Sequence, residues 1–255
     1  MENKLHIWQT AKDSLAFVYH HYKGWLRVAS GPFLLMLLSG IFVSLLRAET
    51  GPSEVGFWGL IFLVSMAVDI VAYLMFTVGG YRYAMYEEGG LEWFKFRFDH
   101  VLFRVFLYSA LIMLLIGGGT LAVGFITKTI HSLLTIDILT VLVGILGVIA
   151  VVYLLVRFVF VIPFAAIGLE KPLKNSLEIS KGRILRLTGL FLLVFVALMI
   201  FTSLLGGGLG FIVELSGTGV LQDIVITVVQ ALLSLFSQAV IMTTSIFAYK
   251  RIIGR

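Results

Sequence analysis

Two ionisable side chains lie deep inside apolar stretches of this 255-residue chain, and they are the first candidates for chemistry. Asp69 falls in the middle of the run from Val55 to Val78, and Arg157 lies toward the end of the run from Ile138 to Ala166. A charge at the centre of a bilayer costs about 2.5 to 3.5 kcal/mol on insertion scales, so it needs a partner or a task. Counted back from Val78 and Ala166, the two stand at similar depth, which makes Asp69 and Arg157 a candidate intramembrane polar pair. Such a pair would serve a proton, an ion or a lipid headgroup. The same residues also suit a purely structural contact, or a protonated Asp69 bonded to a neighbouring helix.

The second cluster follows Arg157 directly, in the connector 167–183. Leu169, Leu173, Leu177 and Ile184 recur at steps of three to four residues, while Glu170, Lys174 and Glu178 occupy another face with i,i+4 pairing. That pattern describes a short interfacial helix with its leucine side down in the membrane. Lys171, Lys174, Ser176, Ser180, Lys181, Gly182 and Arg183 are then the candidate residues for contact with anionic lipid or a protein partner, each base near an anionic surface contributing about 1 kcal/mol. The run Ser176-Leu177-Glu178-Ile179-Ser180-Lys181-Gly182, preceded by Arg157, Pro163 and Glu170, resembles the bacterial inner-membrane proteins grouped with the membrane domain of glycerophosphodiester phosphodiesterases, the YciC-like membrane proteins among them. The resemblance implies a membrane module. Some members carry a soluble phosphodiesterase domain, for which this chain has no room, so the resemblance does not extend to that activity.

Other chemistry finds little support. The chain has no Cys, which excludes disulfides, thiolate metal sites and cysteine nucleophiles. It has no HExxH, no GxSxG and no pair of intramembrane aspartates, so neither a zinc protease, a serine hydrolase nor an aspartyl protease is indicated. The glycine clusters Gly117-Gly118-Gly119 with Gly124, and Gly206-Gly207-Gly208 with Gly210, lack the Lys-Ser/Thr of a phosphate loop. They predict close helix packing or a helix break near the outer surface, and Gly144 and Gly147 read the same way. His6, His20, His21, His100 and His131 are scattered at polar boundaries without second ligands at helical spacing. Neither a metal nor a cofactor is expected, nor a catalytic residue.

Composition sets the frame that must position these residues. Hydrophobic residues make up 60% and charged residues 13%, with a mean hydropathy of +1.05, whereas soluble domains carry about 25% charged residues. The chain reads as an all-α polytopic membrane protein, a single membrane domain over 1–255. Six transmembrane helices are expected at about 25–46, 55–78, 101–126, 138–166, 184–213 and 224–247, in three hairpins each preceded by an amphipathic interfacial helix. The first of these is 1–23, where Leu5, Trp8, Ala11, Leu15, Val18 and Tyr22 step along one face. Connectors 81–100 and 167–183 precede the other two hairpins. In the former, Trp93, Phe94, Phe96 and Phe98 alternate with Lys95 and Arg97. That pattern could stack on a nucleic acid, but between two spans it anchors at the headgroup layer, and no nucleic-acid partner is expected.

All but two of the 19 Lys and Arg residues fall on one side of this arrangement, the exceptions being Arg47 and Lys128. The positive-inside rule then places both termini and both long connectors in the cytoplasm of a bacterial inner membrane. Arg27, Arg104 and Arg186 each open a span, and Ser14-Leu15 with Lys23-Gly24 echoes Ser176-Leu177 with Lys181-Gly182. Three parallel units would produce this rhythm, and so would any hairpin series obeying the same charge rule. The functional expectation is a non-enzymatic membrane module that binds anionic lipid or a protein partner, including a second copy of itself, through its cytoplasmic interfacial helices. The alternative is a transporter or lipid-handling permease working at Asp69 and Arg157.

Overall fold

The computed structural model describes residues 5–49, 55–87, 99–134, 137–215 and 220–254, and these form an all-helical bundle. The helices are α1 (Ile7–His20), α2 (Tyr22–Glu49), α3 (Val55–Tyr86), α4 (His100–Leu134), α5 (Asp137–Phe158), α6 (Val161–Ala166), α7 (Pro172–Ser180), α8 (Ile184–Leu215) and α9 (Val220–Ile253). Six segments are long and apolar enough to cross a membrane: Tyr22–Leu46, Trp58–Tyr86, His100–Ile130, Val141–Ala166, Ile184–Gly208 and Gln222–Ile253. The protein is a polytopic, all-α membrane protein. Its antiparallel hairpins are α2–α3, α4–α5 and α8–α9, and α9 also packs against α1, α2 and α3.

Helix length explains part of this shape. The 32 residues of α3 span about 48 Å at 1.5 Å per residue, well beyond a hydrocarbon layer of about 30 Å. The surplus is used in packing. Where the sequence suggested that the second span ends near Val78, α3 continues to Tyr86, because Tyr81, Tyr83 and Ala84 are buried in the bundle. The fourth span behaves differently. It breaks after Phe158 and resumes as α6, since Pro163 has no N–H to donate to the carbonyl of Val159 one turn earlier. Pro32 lies inside α2 without interrupting it.

The core sits at one end. Phe76, Phe160, Phe164, Leu187, Leu190 and Ile246 are fully buried there, where the last turns of α3, α5 and α9 meet α6 and the first turns of α8. Phe164 meets Tyr249 edge-on at 5.0 Å between ring centroids. Toward the other end large apolar side chains face outward, among them Met113, Leu114, Leu121, Phe125 and Leu204. In lipid such exposure costs little, because the acyl chains are as apolar as the side chains. The α2–α3 hairpin carries a polar contact at depth, a 2.7 Å hydrogen bond between the hydroxyls of Ser39 and Ser65.

The glycine clusters do not do what their composition suggested. α4 and α8 run through Gly117, Gly118, Gly119, Gly206, Gly207 and Gly208 as helix, and a Cβ at any of these positions would meet open space. Gly144 is equally open, and only Gly147 lies against a neighbour, Val123. The tight approach is elsewhere. Gly24 admits the Tyr83 ring against the first turn of α2, and Gly40 admits Thr227 of α9.

Candidate functional site

The end of the bundle that carries α1, α6 and α7 also carries almost all the described cationic side chains, and it is here called the basic end. Five of its cations point inward and donate to backbone carbonyls of neighbouring elements. Arg157 at the end of α5 donates to the Leu177 carbonyl in α7 at 2.8 Å and to the Ser180 hydroxyl at 3.3 Å. Arg104 near the start of α4 donates to the carbonyl of Leu169. Arg82 near the end of α3 donates through Nε to the carbonyl of Ala166, the last residue of α6, at 3.0 Å. Lys250 in α9 donates to the Ala84 carbonyl near the end of α3 at 3.3 Å. Arg251 donates to the His6 carbonyl just before α1 at 3.4 Å and to the Thr10 hydroxyl of α1 at 3.1 Å, and pairs with Asp13.

Three of these acceptors, the carbonyls of Ala84, Ala166 and Leu177, lie in the last turn of a helix. The last carbonyls of a helix have no partner within it and carry the negative end of the macrodipole. A guanidinium or ammonium donating there satisfies an orphan acceptor, and a charged hydrogen bond of this kind contributes about 1.5 to 3 kcal/mol. Together the five bonds link α7 to α5, α4 to the segment before α7, α6 to α3, α3 to α9, and α9 to α1.

Three of these arginines occupy equivalent places. Arg82, Arg157 and Arg251 stand near the C-terminal ends of α3, α5 and α9, the second helices of the three hairpins. Each grips the element that opens the next hairpin. Arg157 holds α7, which leads to α8. Arg82 lies 3.9 Å from Asp99, whose carboxylate accepts the Leu102 N–H at the start of α4. Arg251 holds α1, which leads to α2, and so closes the series on itself.

α1 and α7 present small hydroxylated faces to the bundle. Thr10 and Ser14 of α1, and Ser176 and Ser180 of α7, are completely buried. The Ser176 hydroxyl donates to the Arg157 carbonyl at 2.8 Å, so α5 and α7 exchange bonds in both directions. This corrects the expectation for the two serines of α7. Leu173 and Leu177 are only partly buried, and Ser176 and Ser180 are sealed inside rather than offered to lipid or a partner. On α1 the expected stripe divides: Leu5, Ala11 and Val18 are buried, while Trp8, Leu15 and Tyr22 are exposed.

The rest of the connector stays outside. Lys171 holds a left-handed conformation (φ 50°, ψ 55°) just before Pro172, the first residue of α7, and its side chain is exposed. Lys174 makes a surface pair with Glu178 at 3.8 Å, an interaction of less than about 1 kcal/mol. Lys181 is exposed, and Gly182 (φ +72°) makes the turn into α8. Arg183 donates back to the Ile179 carbonyl at 3.2 Å. Trp93, Phe94, Lys95, Phe96 and Arg97 of the second connector lie outside the described residues, as does the side chain of His131, whereas Gly210 lies within α8.

The proposed pair of charges is not brought together. Arg157 is committed to α7, and among the described residues no ion pair joins it to Asp69. Asp69 is exposed on a face of α3. Equal depth in two spans does not make them neighbours, and α3 packs instead on α2, α4, α6 and α9. Also among the described residues, no three His, Asp or Glu side chains converge as metal ligands would. Comparison with protein-family models, with curated proteins and with solved structures finds no match for the chain.

Proposed function

We propose that this integral membrane protein is a non-enzymatic module that binds anionic lipid at its basic end, which faces the cytoplasm of a bacterial inner membrane, as the YciC-like resemblance suggests. One observation carries the reading. After the structural clamps are accounted for, Lys12, Lys23, Lys171, Lys174, Lys181 and Arg186 remain exposed at that end, among the exposed Trp8, Tyr19, Tyr22 and Leu185. Cations interspersed with amphipathic aromatics suit an anionic headgroup layer, the aromatic rings resting at the level of the glycerol esters. The asymmetry of Lys and Arg supports the cytoplasmic orientation.

Native mass spectrometry of the protein released from nanodiscs of mixed phosphatidylglycerol and phosphatidylcholine tests this. Lys171→Gln, Lys174→Gln and Lys181→Gln combined should lower retained phosphatidylglycerol relative to phosphatidylcholine, because none of the three holds the fold. Equal retention of both lipids by the wild type refutes the proposal. A loss of retention in Asp69→Asn, with the lysine variant unaffected, would transfer the function to an intramembrane site of the transporter kind.

A further inference from the structure

A cavity of about 1010 Å³ opens beside α1, between α2 and α8 and above α9. It lies at the upper end of the range of small-molecule sites, about 300 to 1,000 Å³. Its walls are Phe33 and Leu34 of α2 and Phe201 and Leu205 of α8, over a floor that includes Leu232 and Phe236 of α9. Phe201 and Phe236 are in ring contact at 5.0 Å. At the mouth stand Tyr19 and Tyr22, where α1 turns into α2, with Lys23 placing its ammonium 6.0 Å from the centre of the Tyr22 ring.

One polar atom in this lining is unaccounted for. Trp25 is 5% exposed, and its Nε1 is buried with no hydrogen-bond partner. The six-membered edge of the indole rests on Gly80 of α3. The neighbouring polar group in the lining, the Ser30 hydroxyl, already donates to the Arg27 carbonyl at 2.8 Å. A buried donor without an acceptor costs about 1 to 3 kcal/mol, so a ligand bringing an acceptor to this depth gains that much in addition to its apolar contacts.

We propose that this groove holds an acyl chain of one bilayer phospholipid, with the ester carbonyl accepting from Trp25 Nε1 and the anionic headgroup beside Tyr19, Tyr22 and Lys23. The order of chemistry along the groove is that of a lipid: cation and phenols at the mouth, a single donor next, and a wholly apolar interior. Membrane lipid is the ligand present at the mouth of a cavity that opens sideways from a spanning bundle. The inference rests on the lipid-binding reading above but names a different surface from the connector lysines.

The test is photolabelling in nanodiscs with phosphatidylglycerol carrying a diazirine near the end of one acyl chain, followed by peptide mapping. Adducts should concentrate on Phe33, Phe201, Leu232 and Phe236 over the outward residues Met113 and Leu114 of α4. Filling the groove by Ala29→Trp or, from the opposite wall, Leu232→Trp should abolish groove labelling and leave α4 labelling unchanged. Trp25→Phe should lower it about fivefold, the worth of one hydrogen bond. Labelling equal to that of α4, insensitivity to all three substitutions, or cross-links to a second copy of the chain would each overturn the proposal. A matched diazirine phosphatidylcholine separates the two readings: equal groove labelling by both lipids supports the groove and refutes anionic selectivity, while selective retention with an unlabelled groove does the reverse.

Discussion

Replacing Arg157 by Gln should release α7 without unfolding the bundle. The guanidinium makes a 2.8 Å charged bond to the carbonyl of partly buried Leu177 and a 3.3 Å contact with the hydroxyl of fully buried Ser180. A charged hydrogen bond contributes about 1.5 to 3 kcal/mol, and Gln retains a neutral donor on a shorter stem, so a net loss of about 2 kcal/mol follows. Since 1.4 kcal/mol is a factor of ten, local opening of α7 becomes about thirtyfold more frequent. Hydrogen exchange measured by mass spectrometry on protein in nanodiscs reads this directly. The amides of α7 should exchange about thirtyfold faster, while those of α1, held by Arg251, keep their wild-type rates. Arg251→Gln should give the mirror result, with α1 loosened and α7 unchanged. If α7 exchange is unaltered by Arg157→Gln, or if α1 and α7 accelerate together in either variant, the independent arginine clamps are refuted.

Gly24→Ala should cost about 1 to 3 kcal/mol in thermal unfolding, because its Cβ would overlap the Tyr83 hydroxyl and that ring is held between Phe17 and Trp25. Gly182→Ala should cost about 1 to 2 kcal/mol for forcing a side chain into the left-handed region, with the exchange of α7 and the first turn of α8 as the local readout. Ser176→Ala removes the 2.8 Å donor to the Arg157 carbonyl and should accelerate α7 exchange by about fivefold, less than Arg157→Gln, since a neutral bond contributes only about 1 kcal/mol. Asp69→Leu should leave the hydrogen exchange of α5 and α7 at wild-type rates, because no contact joins Asp69 to Arg157, and should improve membrane insertion by relieving part of the roughly 2.5 to 3.5 kcal/mol of a mid-span carboxylate.

The six spans, the three hairpins and the basic end were legible from the sequence, because each is set by one-dimensional quantities: the length of an apolar run against the thickness of a bilayer, and the order of charges along the chain. The break before α6 was half legible. A proline inside the fourth apolar run disfavours a continuous helix, but the place of the break, four residues upstream, follows from which carbonyl loses its donor. What a side chain faces is a different kind of quantity. Asp69 and Arg157 share a depth but lie on helices that do not pack together, and depth says nothing about which way round a helix a residue points. The leucine stripe of α7 was read as lying down in the membrane, which left open which face of the helix meets the bundle. In a membrane leucine loses little by meeting lipid, whereas a small hydroxylated face lets a short helix approach the bundle closely and exchange hydrogen bonds with Arg157, so Ser176 and Ser180 are the ones enclosed. The bases divide in the same way. Charge order along the chain determined on which side Arg82, Arg104, Arg157, Lys174, Lys181 and Arg251 would lie. Only the packing of the helices, which brings carbonyl and hydroxyl acceptors within reach of some cations and not of others, decided which of them hold the fold together and which remain for a ligand.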